Sequence, residues 1–171
     1  VTPFDFGHFM SYPMDVDETT PSRGAIDWPR GHDGFAMLPS EIFDEARNRG
    51  AEVIQINHPR AGVSEPSDLM RYFDRMGLFF DYENRIFGAD ASYSTVPYDW
   101  MRLPDRSLWN LEFDAIEVWN GFIMLDSNMD GEAEISRLDA VVRDWFNFMS
   151  FGFPVTPIAS SDSHNIVRDP P

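Results

Sequence analysis

The sequence predicts an α/β fold: one domain, built on parallel strands. Two observations predict it. Short apolar segments alternate with amphipathic segments of helix length along the chain, the pattern of successive βαβ units. The residues with chemical potential, His58 and Asp162 among them, come at the ends of strand-like segments, where α/β barrels place their active sites.

The elements follow in order. Residues 4–10 partly alternate and read as a strand ending near Tyr12-Pro13, since side chains two apart share a sheet face. Residues 15–34 carry acids, Pro21, Pro29 and several glycines, the composition of a long loop. Ser40 is placed to cap a helix over 40–49, with Ile42, Phe43 and Ala46 on one face and Gly50 as its stop. Residues 52–57 read as a short buried strand, and a weaker helix over 66–76 ends at Gly77. Residues 78–110 are aromatic and show no clear period. A further strand over 114–119 leads to the turn Asn120-Gly121. The clearest helix covers 132–149, where Ile135, Leu138, Val141, Val142, Trp145 and Met149 recur at steps of three and four. Gly152 stops it. The last strand, 154–159, runs into Ser160-Ser161-Asp162-Ser163-His164.

Composition narrows the chemistry. With 171 residues, 43% hydrophobic and 15% aromatic, the chain can bury a core and belongs with globular domains. A net charge of −16 repels nucleic acid and anionic membranes and attracts divalent cations. All 13 basic residues are Arg, so lysine Schiff-base, lysine general-base and Walker-type phosphate chemistry are excluded. No cysteine is present, which removes thiol catalysis, disulfides and sulfur-bound metals. Any metal must therefore be held by His, Asp and Glu. No segment reaches the ~18–20 consecutive apolar residues of a membrane span.

Three short motifs carry candidate chemistry. In Asp162-Ser163-His164, residues two apart in an extended segment point the same way, so a carboxylate and an imidazole face one point. That pair suits Zn, Mn or Fe; it also suits a polar turn. In Asn57-His58-Pro59-Arg60, Pro59 stiffens the turn that aims His58, and Arg60 is placed to meet an anionic oxygen. A histidine in an ordinary βα loop is the alternative. Gly7-His8 offers a third imidazole, or a histidine satisfied within the sheet. His32 sits in the long loop. Asp126-Ser127-Asn128-Met129-Asp130-Gly131 imitates the start of a calcium loop, but its twelfth position is Arg137 rather than a bidentate carboxylate.

Taken together, Gly7-His8, Ile56-Asn57-His58-Pro59-Arg60, Ile116-Glu117-Val118-Trp119-Asn120-Gly121 and Ala159-Ser160-Ser161-Asp162-Ser163-His164 resemble the PHP (polymerase and histidinol phosphatase) superfamily. Their order and spacing are similar to its carbaryl-hydrolase-like branch. The resemblance implies a distorted (β/α)7 barrel with two or three metals at the strand C-termini. It implies that His8 and His58 ligate neighbouring metals, that Asp162 and His164 hold others, and that Arg60 contacts an oxyanion or phosphate. The 117–120 segment would shape the pocket, with no ligand role implied for Glu117. The family's opening H-x-H motif, its Asp-His pair and its bridging Glu have no counterpart here. The chain is thus expected to be the later part of a single, truncated barrel domain, residues 1–171, with an open sheet whose exposed edge invites self-association.

The function implied is metal-dependent hydrolysis of a small-molecule phosphoester, carbamate or ester through metal-activated water, with Zn, Mn or Fe as cofactor. Nucleic acid and membranes are not expected as partners. Two alternatives come from other classes. One is a non-catalytic acidic module that binds a cation or a protein, and the other a PHP-like fold without catalysis.

Overall fold

In the computed structural model, which describes residues 7–20, 22–28, 37–60, 71–93, 110–120 and 133–161, nine principal elements build two sheets and three helices. Strand β1 spans His8–Tyr12, helix α1 Pro39–Asn48 and strand β2 Val53–Asn57. Helix α2 (Tyr72–Met76) is followed by the hairpin β3 (Leu78–Asp81) and β4 (Ile86–Ala89). Strand β5 (Ala115–Asn120), helix α3 (Ala133–Ser150) and strand β6 (Thr156–Ser160) complete the order. The main sheet has the order β1-β2-β5-β6, and the hairpin forms a second sheet.

β2, β5 and β6 are mutually parallel, but β1 runs antiparallel to β2, with His8 opposite Asn57 and Tyr12 opposite Val53. This differs from the all-parallel expectation. Apolar alternation reports which face a side chain takes and says nothing about strand direction. The long connection before α1 can return the chain in either sense.

The register sorts the sheet into two faces. Phe9 lies opposite Ile56, and Ile56 opposite Ile116, so these three side chains share a face with Ile54. Helices cover that face. Phe9 packs edge-on against Phe43 of α1 and Tyr72 of α2, with ring centroids 5.1 and 5.2 Å apart. The opposite face is polar: the Tyr12 hydroxyl donates to Gln55, and Gln55 donates to Asn57 at 2.8 Å.

Ser40 does not cap α1. The helix starts one turn-step earlier at Pro39, and Glu41 reaches back to accept the Leu38 N–H at 2.7 Å. A carboxylate there also meets the positive end of the helix dipole. At the far end, Arg47 donates to the carbonyls of Ala51 and Glu52 and to Asp114. Asp114 in turn accepts the Ile54 N–H at 2.7 Å. One guanidinium thereby ties the end of α1 to the starts of β2 and β5. Gly77 ends α2 at φ 65°, a left-handed cap that suits glycine. The first part of the helix expected over 66–76 lies outside the described residues.

The aromatic stretch that showed no period holds the β3–β4 hairpin. Its strands are joined by a turn in which Asp81 accepts from the backbone and side chain of Asn84. The buried stripe of α3 is also displaced from its expected position: Val141, Asp144 and Phe148 are buried, while Met149 is exposed. Phe148 is the hub of the core, its ring within 5.2–5.8 Å of Phe73, Phe80, Phe87, Phe113 and Phe153. Among the described residues, no helix is long and apolar enough to cross a membrane.

Truncating this hub should cost far more than truncating its exposed neighbour. Phe148→Ala is expected to destabilise the fold by about 3–5 kcal/mol through lost burial and the cavity left behind. Phe146→Ala, at a ring 59% exposed, should stay within about 0.5 kcal/mol of the parent. Urea unfolding of both variants checks the contrast.

Candidate functional site

The C-terminal ends of β2, β5 and β6 and the N-terminal end of β1 meet at one edge of the main sheet. Because β1 is antiparallel, its first residue, His8, lies beside the last residues of β2. The chain leaves β2 through His58, whose φ is +31°. That is an uncommon backbone state for a residue with a Cβ, more so before a proline. Such strain persists only where surrounding contacts hold it.

Those contacts centre on Glu117 of β5, whose side chain is almost wholly buried. Its Oε2 accepts the backbone N–H of His58 at 2.7 Å and lies 2.8 Å from the ring Nδ1. Asn120 donates to the same oxygen at 3.3 Å. Ser160, the last residue of β6, donates to Oε1. Burial alone would push the Glu117 carboxyl up. The hydrogen bonds from His58 and Ser160 and the attraction of His58 outweigh it, and hold the carboxyl below its ordinary value.

On its other side, His58 reaches His8. Nε2 of His58 lies 2.8 Å from Nδ1 of His8, and the rings meet edge-on at 78° with centroids 4.7 Å apart. Two nitrogens bound to one tetrahedral metal, each at ~2.0–2.1 Å, are about 3.3 Å apart. The pair therefore needs to open by only about half an ångström to share a cation. Borderline imidazole nitrogens suit Zn, Mn or Fe. Among the described residues no group of three or more His, Asp or Glu that could hold a metal ion is found; the two imidazole nitrogens are candidate donors. Asp162 and His164 lie outside the described residues, as do His32 and the 126–131 segment.

Arg60 is not brought to the histidine pair. Its Nε and Nη2 donate to Asp144 of α3 at 2.6 and 3.2 Å, and its Nη1 donates to Asp74 of α2 at 2.9 Å. The guanidinium also lies 5.7 Å from the centre of the Phe73 ring. The resemblance implies a substrate oxyanion for Arg60; here the carboxylates of the buried Asp144 and the partly buried Asp74 take that place. Burial is the largest influence on the arginine and opposes its charge, yet Asp144 and Asp74 outweigh it and raise its affinity for the proton. Asp144 is pushed up by burial, which the attraction of Arg60 only partly offsets.

The resemblance implies a pocket-shaping place for 117–120, with no specific role for Glu117, Asn120 or Ser160. A single carboxylate inside the apolar run Ala115-Ile116-Glu117-Val118-Trp119 was the available sign, because an ionised group in a buried strand requires partners. A separate cleft of about 770 Å3 is lined by Asp15, Asp17, Asp27 and Arg49. Neither histidine is among its lining residues.

No family model, no curated protein and no solved structure matches the chain.

The Arg60 cluster carries a pH signature. Arg60→Ala leaves the buried Asp144 and the partly buried Asp74 without their cation, which should cost about 3–5 kcal/mol at neutral pH. Asp144 already has a raised pKa in the folded protein, so its contribution is fully present below the ordinary value of 3.8 and is lost as pH rises through the folded value. Removing Arg60 raises that value further. The deficit of the variant should therefore shrink as pH falls toward 4. Thermal melts of parent and variant across this range measure it; a deficit independent of pH would contradict the assignment.

Proposed function

We propose that the chain is part of a metal-dependent hydrolase of the PHP type, acting on a phosphoester or a carbamate or ester bond of a small molecule. The observation that carries this is the 2.8 Å approach of His8 Nδ1 and His58 Nε2, two imidazoles fifty positions apart in the sequence that share one sheet edge. Ser160 belongs to the same edge through Glu117, and Asp162 and His164 follow it closely in the chain. His8 and His58 would hold a divalent cation, Zn, Mn or Fe, with Asp162 and His164 as further ligands. When bound, such a cation supplies Lewis acidity and a water acidic enough to ionise near neutral pH.

The surrounding residues support that role. Glu117 is buried and keeps His58 in place. The net charge of −16 favours a cation and disfavours polyanionic substrates. In this proposal the four-stranded sheet is a portion of a (β/α)7 barrel, with β1 as an antiparallel strand at its edge. The outer edge of β6 has no strand partner among the described residues, and self-association through it is part of the same proposal.

Hydrolysis of p-nitrophenyl phosphate and of an aryl methylcarbamate, in the presence of Mn or Zn, tests the activity. Turnover is expected to depend on the metal and to fall at least a hundredfold in His58→Ala, with a chelator doing the same to the parent. Metal-independent turnover, or full turnover in His58→Ala, would overturn the proposal.

A further inference from the structure

Glu117 touches His58 twice, at the backbone and at the ring, and this double contact has a consequence for the ring's chemistry. A neutral imidazole carries its proton on one nitrogen and a lone pair on the other, and only the lone pair can bind a metal. The backbone N–H of His58 and the side-chain amide of Asn120 both donate to Oε2, so that oxygen stands as the acceptor of this cluster. At 2.8 Å from that oxygen, Nδ1 of His58 must therefore be the protonated nitrogen. Asn120 Nδ2 lies 3.2 Å from Nδ1 but is itself a donor, so its productive bond is the one to Glu117 at 3.3 Å. With the proton on Nδ1, the lone pair of His58 is on Nε2, the nitrogen that faces His8. In the metal-free protein His8 then donates its Nδ1–H to that lone pair.

We propose that Glu117 is a positioning residue that fixes His58 as its Nδ1–H tautomer and so aims the Nε2 lone pair at the place where the metal binds. The assignment rests on the hydrolase proposal for the identity of the ligand, though not for the tautomer. Glu117 stands behind the ligand rather than beside it, because it meets His58 at Nδ1 while Nε2 is the nitrogen that faces His8. The contact also maintains the positive φ of His58, since the N–H that Glu117 accepts belongs to that residue. Carboxylates that orient a metal-binding histidine typically govern affinity by 10–100-fold.

Nitrogen-15 correlation spectra of the His58 ring, recorded on the metal-free full chain, read the tautomer directly; calorimetric zinc titration of the same protein reads affinity. The parent should show Nδ1–H. Glu117→Leu, which keeps the bulk and removes the acceptor, should shift His58 toward Nε2–H and weaken zinc binding by about 10–100-fold. Glu117→Gln retains an acceptor oxygen and should keep the Nδ1–H tautomer with a smaller loss of affinity. It also serves if the leucine variant does not fold, as judged by circular dichroism. An Nε2–H tautomer in the parent would overturn the proposal, as would a leucine variant with unchanged tautomer and affinity. A parent that binds neither zinc nor manganese nor iron would overturn the hydrolase proposal instead, and the ring tautomer, which needs no metal, tells the two failures apart.

Discussion

One buried carboxylate holds this edge of the sheet together. Glu117 accepts from His58 beyond β2, from Asn120 in its own strand and from Ser160 in β6. An ionised group sealed from water is tolerated only when its oxygens are satisfied, so the geometry of three strand ends is fixed by the needs of one side chain. The strained backbone of His58 follows from it, as does the direction in which the imidazole points. His8 enters only because β1 runs antiparallel and begins where β2 ends. Fold and site thus share a single constraint: a reversed strand and a buried acid turn two distant histidines into a pair.

The opposite face of the sheet does the packing. Rings from α2 and the hairpin meet Phe148 of α3, Phe9 of β1 and Phe43 of α1 join them through Tyr72 and Phe73, and this interior supplies the apolar burial that drives folding. Asp144 lies on the same stripe of α3 as Phe148, and the ion pair with Arg60 is what makes a carboxylate tolerable there. Arg60 follows His58 by two positions and ties the start of the β2–α2 connection to α2 and α3. The segment that carries His58 is thereby held from both ends, by Glu117 at the ring and by the Arg60 cluster beyond Pro59. Rigid support of this kind lets a side chain keep its position.

Much of the fold was legible in the sequence, for physical reasons. The strands β2, β5 and β6 announced themselves as short apolar runs, and α1 and α3 through helical periodicity. The hairpin did not, because Leu78-Phe79-Phe80 and Ile86-Phe87 are apolar on both sides and their turn lacks an Asn-Gly or Asp-Gly pair. The direction of β1 was not encoded in its alternation. His8 and His58 could be named from their motifs, whereas their contact depended on that direction. Glu117 could be placed in a pocket-shaping segment, but its hold on His58 and Ser160 was hidden, because it depends on partners 59 and 43 positions away. Arg60 shows the converse: its motif suggested an oxyanion, and only the tertiary packing brings Asp74 and Asp144 to it.

Anomalous diffraction decides whether His8 and His58 share a metal ion, as proposed. Crystals grown with zinc, measured on either side of its absorption edge, should show an anomalous peak about 2.0–2.1 Å from both His8 Nδ1 and His58 Nε2. An ordered His8–His58 contact with no peak between the rings, or zinc bound only elsewhere on the chain, would contradict the account.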